Sequence, residues 1–221
     1  EGTKIEAAKV VLCTGIWTRT LLPSLPIVPV AHPYAYTAER SQPRKLKTPF
    51  VRYPEAHVYV RDHGLKDGIG SYGHDPIAVA NSQLTQSAYG DWHTAFEPVL
   101  KDALALLPSA TSEAFSVSPD EVGHEQVFNG IFSVTPDGMP LVGQIKDQEG
   151  LYVASAVWVT HAAGCAQLIA DLVNEKLKKE DEWLAKELDP RRFDGRDADG
   201  LEKQALGTYN DIYNQNAQQQ P

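Results

Sequence analysis

The chain has 221 residues, 42% of them apolar and 22% charged, with a formal net charge of -9. That length fits one large domain or two small ones, and the apolar share is ample for a core. The acidic balance argues against a nucleic-acid surface, and the short basic run RKLK at 44–47 reads as a solvated loop.

In chain order, KIEAAKVVLCT at 4–14 gives a short alternating piece and then a continuous apolar run. Val10, Val11 and Leu12 predict a strand buried on both faces, closed by Gly15. Pro23, Pro26, Pro29 and Pro33 then forbid a long helix. PIVPVAHPYAYTAE at 26–39 reads as a strand at a sheet edge or a domain crossing. HVYVRDHG at 57–64 alternates, and GIGSYGH at 68–74 is its expected hairpin partner, with the turn near Lys66-Asp67-Gly68. Phe96, Val99, Leu100, Ala103, Leu104 and Leu107 recur at helical spacing within 92–108, and Pro108 stops that helix. FNGIFSVTPDGMPLVGQ at 128–144 has two strand-like arms around Pro136-Asp137-Gly138. A strand at 150–157 and a helix at 162–178 follow. Past Glu180 the chain is strongly charged and is expected to wrap the surface or lead elsewhere; the closing QNAQQQP has no means of forming a core.

The two cysteines, Cys13 and Cys165, are too few for a disulfide framework, and both read as small buried side chains. No stretch reaches membrane-spanning length without polar interruption. The start, EGTKIEAAKVVLCTG, lacks the basic region of a secretory signal. It reads as the interior of a fold, so the chain is expected to begin inside a larger protein, in the cytoplasm or an organelle (mitochondrial or peroxisomal). The fold class is α/β in the broad α+β sense: an antiparallel sheet interrupting an α/β layer formed by 1–25 and 140–178.

Two corners share a design. VVLCTGIWT at 10–18 is a strand entering a tight Gly turn, and LYVASAVWVTHAAG at 151–164 is a strand entering a helix. Ligands of open α/β sheets collect beyond the carboxyl ends of strands, and small residues there admit a flat group. Thr160 or His161 is expected to cap the helix, Thr160 being the better intrinsic cap. The alternative is a plain β-to-α turn with Trp158 filling core. No phosphate-cradling glycine motif is present; GIGSYG lies in a hairpin and lacks the strand–loop–helix context. The seven histidines have no metal-ligand spacing, and no G-x-S-x-G occurs, so neither a zinc site nor a serine hydrolase is expected. His32 and Tyr59 each lie in an alternating strand, able to exchange or hold a proton, or to serve only as packing. Arg61 shares Tyr59's face by the two-residue period, to pair with a substrate carboxylate or with a surface acid.

Taken together, VVLCTGIW, PVAHPY, VYVRDHG, GIGSYGH, FNGIFSVTPDGMPLVG and GLYVASAVWVTHAAG resemble, in order, the C-terminal half of the FAD-binding module of the D-amino-acid-oxidase-like superfamily. The likeness is to its dimethylglycine oxidase and dehydrogenase group, and LDPRRF and YNDIYNQ resemble that module's exit. The resemblance implies FAD as cofactor, held between a nucleotide-binding fold and an antiparallel substrate domain. It divides the chain into FAD-domain segments at 1–25 and 136–180, a substrate domain at 26–135 and a charged extension at 181–221. It implies oxidation of a small N-methylated amino acid, with hydride transfer to flavin N5. His32 then assists amine deprotonation or binding, and Tyr59 orients the substrate. Thr14, Gly15 and Trp17 match the loop near the cofactor phosphates, and Trp158, Val159, Thr160, His161 and Ala162 match the segment against the flavin pyrimidine.

Three departures qualify this. The G-x-G-x-x-G unit is absent, so a missing N-terminal FAD-binding half is an expected partner and the chain alone should be inactive. FNGIFSVTPD carries no cysteine for covalent flavin attachment. No folate-binding extension follows YNDIYNQ, so folate is not an expected partner. Two further readings stand beside the leading one: a non-catalytic scaffold that keeps the half-module, and an oxidase of glycated (fructosyl) amines. Oxidase and dehydrogenase leave no distinguishing pattern here.

Overall fold

The computed structural model describes residues 2–45 and 48–213, leaving part of the RKLK run and the QNAQQQP end outside the described residues. Among the described residues, no helix is long and apolar enough to cross a membrane. Two compact units emerge: the chain up to Val28 with Ser133–Ala205, and Pro29–Phe132 with the described residues from Leu206 onward.

The strands run β1 (Val10–Leu12), β2 (Val28–Tyr36), β3 (Val51–Tyr53), β4 (Val58–Asp62), β5 (Asp67–Ser71), β6 (Tyr89–Gly90), β7 (Val127–Val134), β8 (Leu141–Gln144) and β9 (Leu151–Ser155). The helices are α1 (Thr18–Leu21), α2 (Phe96–Leu104), α3 (Ser109–Ser112), α4 (Pro119–Val122), α5 (Ala162–Val173), α6 (Glu182–Leu188) and α7 (Ala198–Asn210). This is the mixed α/β architecture expected from the sequence.

The first unit is built on a three-stranded sheet ordered β1-β9-β8. β1 runs parallel to β9, with Val10 opposite Leu151 and Leu12 opposite Val153, and β8 runs antiparallel to β9. Alternation sorts the side chains by face. Leu141 and Val153 join Leu25, Ile27, Phe193 and Leu201 on one side, while Val142 meets Cys165, Leu168, Ile169 and Leu188 on the other. The prediction for β1 is corrected. It is an edge strand in the described sheet, with Val10 45% and Val11 37% exposed, so its apolar run is not covered on both faces. Cys13 is likewise exposed rather than buried; Cys165 is buried as expected.

Arg192 clamps the Pro136-Asp137-Gly138 turn. Its guanidinium donates to both Asp137 carboxylate oxygens (2.8 and 3.0 Å) and to the Met139 carbonyl. The arms of that turn, β7 and β8, belong to different sheets, so it is a crossing and not a hairpin. α5 ends at Val173, short of 178, with Glu175 in the left-handed region just beyond. The charged segment past Glu180 does not merely wrap the surface: Leu188, Phe193, Leu201, Ala205 and Tyr209 are all buried. Leu201, Ala205 and Tyr209 recur at four-residue spacing along α7, so a sparse apolar set still makes a buried stripe.

The second unit carries a six-stranded sheet ordered β3-β4-β5-β2-β7-β6. β4 and β5 form the expected hairpin, with Asp62 opposite Asp67. The connection is His63–Gly64–Leu65–Lys66, with Gly64 at φ 87°, so Asp67 and Gly68 already belong to β5. Asp67 is buried and receives Arg40 (2.8 Å) and Arg44 (2.6 Å), which neutralise it beside the turn.

Of the two readings of 26–39, the edge is excluded, since β2 is interior to its sheet despite Pro29 and Pro33, while the boundary between the two units falls at Val28–Pro29 within it. The reason is local: its pairing with β5 begins only at Tyr34, and the His32 N–H is satisfied by the Asn129 side chain (2.9 Å) instead of a strand. One sheet face, with Ala35, Val58, Ile69 and Val127, packs on Leu100 and Ala103 of α2. α2 starts at Phe96 and not at 92, yet it buries Phe96, Leu100 and Ala103, as their spacing requires.

Candidate functional site

The other face of the six-stranded sheet is aromatic. His32, Tyr34 and Tyr36 alternate on it from β2, Tyr59 and Arg61 from β4, and Phe128 and Phe132 from β7. Gly70 lies opposite both Tyr34 and Tyr59, and Gly68 opposite both Tyr36 and Arg61. The glycines are spatial necessities. A Cβ on Gly70 would fall within the Tyr59 ring, and one on Gly68 within the Tyr34 phenol. That is why GIGSYG carries glycines without a phosphate to cradle. The Tyr34 and Tyr59 rings meet at 5.7 Å between centroids, and Phe132 stacks on His32 at 4.4 Å. Lys66 places its ammonium 4.0 Å over the Tyr36 ring, so this face already attracts one cation.

His32 and Tyr59 are brought together. The Tyr59 hydroxyl lies 2.8 Å from His32 Nε2. The other ring nitrogen, Nδ1, lies 2.6 Å from the Tyr209 hydroxyl, which also lies 2.7 Å from His74 Nε2. His74 Nδ1 sits 2.7 Å from the Asp75 carbonyl oxygen. Asn210 pins the start of this cluster by donating to the carbonyls of Tyr72 (3.0 Å) and His74 (2.8 Å). Sequence reasoning missed Tyr209 and His74. Each fell within a quoted segment, YNDIYNQ and GIGSYGH, but no spacing linked them to His32, which lies 177 residues from Tyr209.

His32, His74 and Tyr209 are buried, and Tyr59 is half-buried. Burial holds His32 well below the ordinary imidazole pKa, with the nearby His74 adding to the effect. Burial also lowers His74, and His93 adds to that, while the Asp75 carbonyl works against it. The Tyr209 phenol is pushed up by burial, so it stays protonated. Arg61 is exposed; burial raises the Tyr34 phenol, with Arg61 working against it, and burial together with Arg61 lowers His63.

These shifts fix a pH response. The unfolded chain protonates its histidines near pH 6.5, while folded His32 and His74 stay neutral to lower pH. Stability is therefore complete above about pH 6.5 and falls as pH drops towards the folded values. Denaturant titrations should show a loss of roughly 1 kcal/mol per pH unit for each buried histidine below about pH 6.5. Equal stability at pH 7.5 and 5.5 would contradict neutral burial of both rings.

In the first unit, the structure sets the two corners at the carboxyl ends of adjacent parallel strands. Thr14, Gly15 and Trp17 follow β1; Trp158, Val159, Thr160, His161 and Ala162 follow β9. A ladder of hydroxyls ties them. Thr14 meets Thr18 at 2.9 Å, and Thr18 hydrogen-bonds Ser155, the last residue of β9. Each corner bends through the left-handed region, Gly15 at φ 53° and Ala156 at φ 53°. Glycine takes that conformation freely; alanine takes it at a cost of roughly 1 kcal/mol.

The expected cap is corrected. Val159–His161 form a 3-10 turn, His161 occupies the N-cap position of α5, and neither start has a side-chain cap. Thr160 lies inside the turn and not at the N-cap position of α5. Residues 159–164 are exposed, Val159 at 94%, and a Cβ on Gly164 would meet nothing within 4 Å. The corner thus offers uncapped N–H groups beside small side chains, an arrangement able to receive a flat, electron-rich group. Among the described residues, no cluster of His, Cys, Asp and Glu could hold a metal ion.

Comparison with known proteins follows the same lines. Human mitochondrial dimethylglycine dehydrogenase is 26% identical over 201 residues, covering 86% of this chain and 22% of that protein. Mouse mitochondrial sarcosine dehydrogenase is 25% identical over 204 residues, covering 87% and 20%. The chain spans about a fifth of the length of these curated relatives. Among solved structures, L-proline dehydrogenase from P. horikoshii superposes with a TM-score of 0.59 at 18% identity, over 84% of this chain and 46% of that one. Fructosyl peptide oxidase from E. terrenum gives 0.63 at 16%, over 86% and 46%. These two likenesses concern the fold. The model of the DAO family, described as FAD dependent oxidoreductase, matches residues 1–172, and the chain therefore belongs to that family.

Proposed function

We propose that this chain is part of an FAD-dependent amine oxidoreductase acting on a small N-methylated amino acid such as dimethylglycine or sarcosine. The observation that carries the reading is the Tyr59–His32 pair, joined at 2.8 Å on an aromatic face that already draws an ammonium. Two dehydrogenases named for those amino acids are among its relatives.

The corner residues fit one edge of the cofactor. Trp158, Val159, Thr160, His161 and Ala162 would hold the ring edge against uncapped N–H groups. Thr14, Gly15 and Trp17 would hold its neighbouring portion. The remaining wall is expected from an N-terminal FAD-binding half. Bound flavin supplies a two-electron acceptor for the substrate C–H bond. The chain's own residues do the rest. The aromatic face binds and desolvates the amine, Arg61 attracts its carboxylate, and Tyr59 with His32 takes the proton that an ammonium must lose before its nitrogen can support oxidation.

The test is anaerobic flavin reduction in the full-length protein with a panel of N-methyl glycines and one fructosyl amine. Bleaching by dimethylglycine or sarcosine is expected. Bleaching by the fructosyl amine alone would move the substrate class, and no bleaching by any amine would sink amine oxidation.

A further inference from the structure

The four hydrogen-bonding groups around His32 form a line with a direction. Its polarity follows from its inner end. A carbonyl oxygen only accepts, so the 2.7 Å contact with Asp75 requires the hydrogen on His74 Nδ1. A neutral His74 then has a bare Nε2, which accepts the single hydrogen of the Tyr209 hydroxyl at 2.7 Å. With its hydrogen committed there, the Tyr209 oxygen accepts from His32 Nδ1 at 2.6 Å. A neutral His32 carries no hydrogen on Nε2, which therefore accepts from Tyr59 at 2.8 Å. Every hydrogen in the line points inward, from half-buried Tyr59 towards buried His74.

We propose that Tyr59, His32, Tyr209 and His74 form an inward-polarised proton relay, with His74 as the transient acceptor of the proton of a substrate ammonium. The inference rests on the amine-oxidation reading for the identity of the donor. The step balances without any electron transfer. The ammonium N–H bond breaks and its proton bonds to the Tyr59 oxygen. The Tyr59 hydrogen passes to His32 Nε2, the His32 Nδ1 hydrogen to Tyr209, and the Tyr209 hydrogen to His74 Nε2. The amine is left neutral, with its lone pair available, and His74 is left an imidazolium. Tyr59, His32 and Tyr209 end with the same number of protons they began with.

The surroundings favour His74 over His32 as the transient acceptor. His32 is enclosed by Tyr59 from β4, Phe132 from β7, Tyr72, and Tyr209 from α7, with no carboxylate among the described groups acting on it. His74 is faced by Tyr209 from α7, by Phe96 at the start of α2 and by His93 before it. It also has the Asp75 carbonyl at Nδ1 and the Asp75 carboxylate, both of which favour its charged form. Tyr209 is a positioning residue whose hydroxyl links the two imidazoles. Asn210, next in the helix, holds the His74 backbone in register.

Two measurements test the relay in the full-length protein. Histidine ring 15N spectra at neutral to alkaline pH should show hydrogen on Nδ1 of both His32 and His74. On acidification His74 should become cationic before His32, and in Tyr209→Phe the His32 signals should no longer follow His74. Hydrogen on Nε2 of either ring, or prior protonation of His32, overturns the proposal whether or not any amine is oxidised. The second measurement uses His74→Gln, whose amide oxygen still accepts from Tyr209 but cannot store a proton. Amine-driven flavin reduction should fall about tenfold or more where the substrate is an ammonium, with KM changed by no more than about twofold. The deficit should shrink as pH rises and the amine arrives deprotonated. A merely structural role for His74 would lower the rate equally at all pH values or leave it unchanged, and either result overturns the relay. Absence of flavin reduction in the unmodified protein defeats the amine reading instead, and the 15N spectra then decide the relay alone.

Discussion

Tyr59→Phe is expected to slow flavin reduction by a small N-methylated amine about a hundredfold, the range in which positioned proton acceptors contribute. The ring itself would remain. It stacks with Phe50 and lies tilted against Tyr34, ring contacts that do not use the hydroxyl. What disappears is the 2.8 Å hydrogen bond to His32, leaving Nε2 of a buried imidazole without its donor. That should cost about 1–3 kcal/mol of stability, enough to lower the melting temperature by a few degrees without unfolding the protein. The loss of rate should be largest at the pH where the substrate is an ammonium and should fade as the amine deprotonates. Rapid-mixing reduction under anaerobic conditions measures it, and a rate within about threefold of the unmodified protein would remove Tyr59 from the chemistry.

Gly70→Ala should reach nearly the same end without touching a functional group. An added Cβ would overlap Cζ, Oη and Cε1 of Tyr59, all at the far end of that side chain, so the ring and not the backbone must give way. The backbone of β5 is held on both sides, by Tyr34 in β2 and Tyr59 in β4. The phenol therefore lifts off the sheet, and the Tyr59–His32 bond breaks. Overpacking of this kind costs about 1–3 kcal/mol. The rate should fall to near the Tyr59→Phe value, and combining the two changes should cost little more than either alone, because both remove one bond. Additive losses in the double variant would show that Gly70 serves something other than the seat of Tyr59.

Much of this was legible in the linear pattern. The alternation of VYVRDHG fixed which side chains share a face, and the helical spacing around Leu100 fixed what α2 buries, because strand and helix periods are local properties. His32 and Tyr59 stood out as protic groups in alternating strands. Two readings failed or stayed open for one reason: β1 was expected to be buried on both faces and lies at an edge of its sheet, and 26–39 was left between a sheet edge and a domain crossing. Apolar content and turn residues say that a strand exists; which strand lies beside it depends on distant segments. The hairpin context excluded GIGSYG as a phosphate loop, but that its glycines make room for the Tyr34 and Tyr59 rings depends on how β2, β4 and β5 pair.

The sequence by itself determined the hairpin, the helices α2 and α5 and the two strand-end corners, all of which depend on residues within a few positions of one another. Only the tertiary structure decided that a tyrosine in the charged C-terminal segment closes the space between two histidines of the sheet unit. No local rule could have found it: Tyr209 is 135 residues from His74 and 177 from His32. The direction of the proton path was decided there too. It follows from one carbonyl oxygen against His74 Nδ1, a contact that exists only after the chain has folded back upon itself.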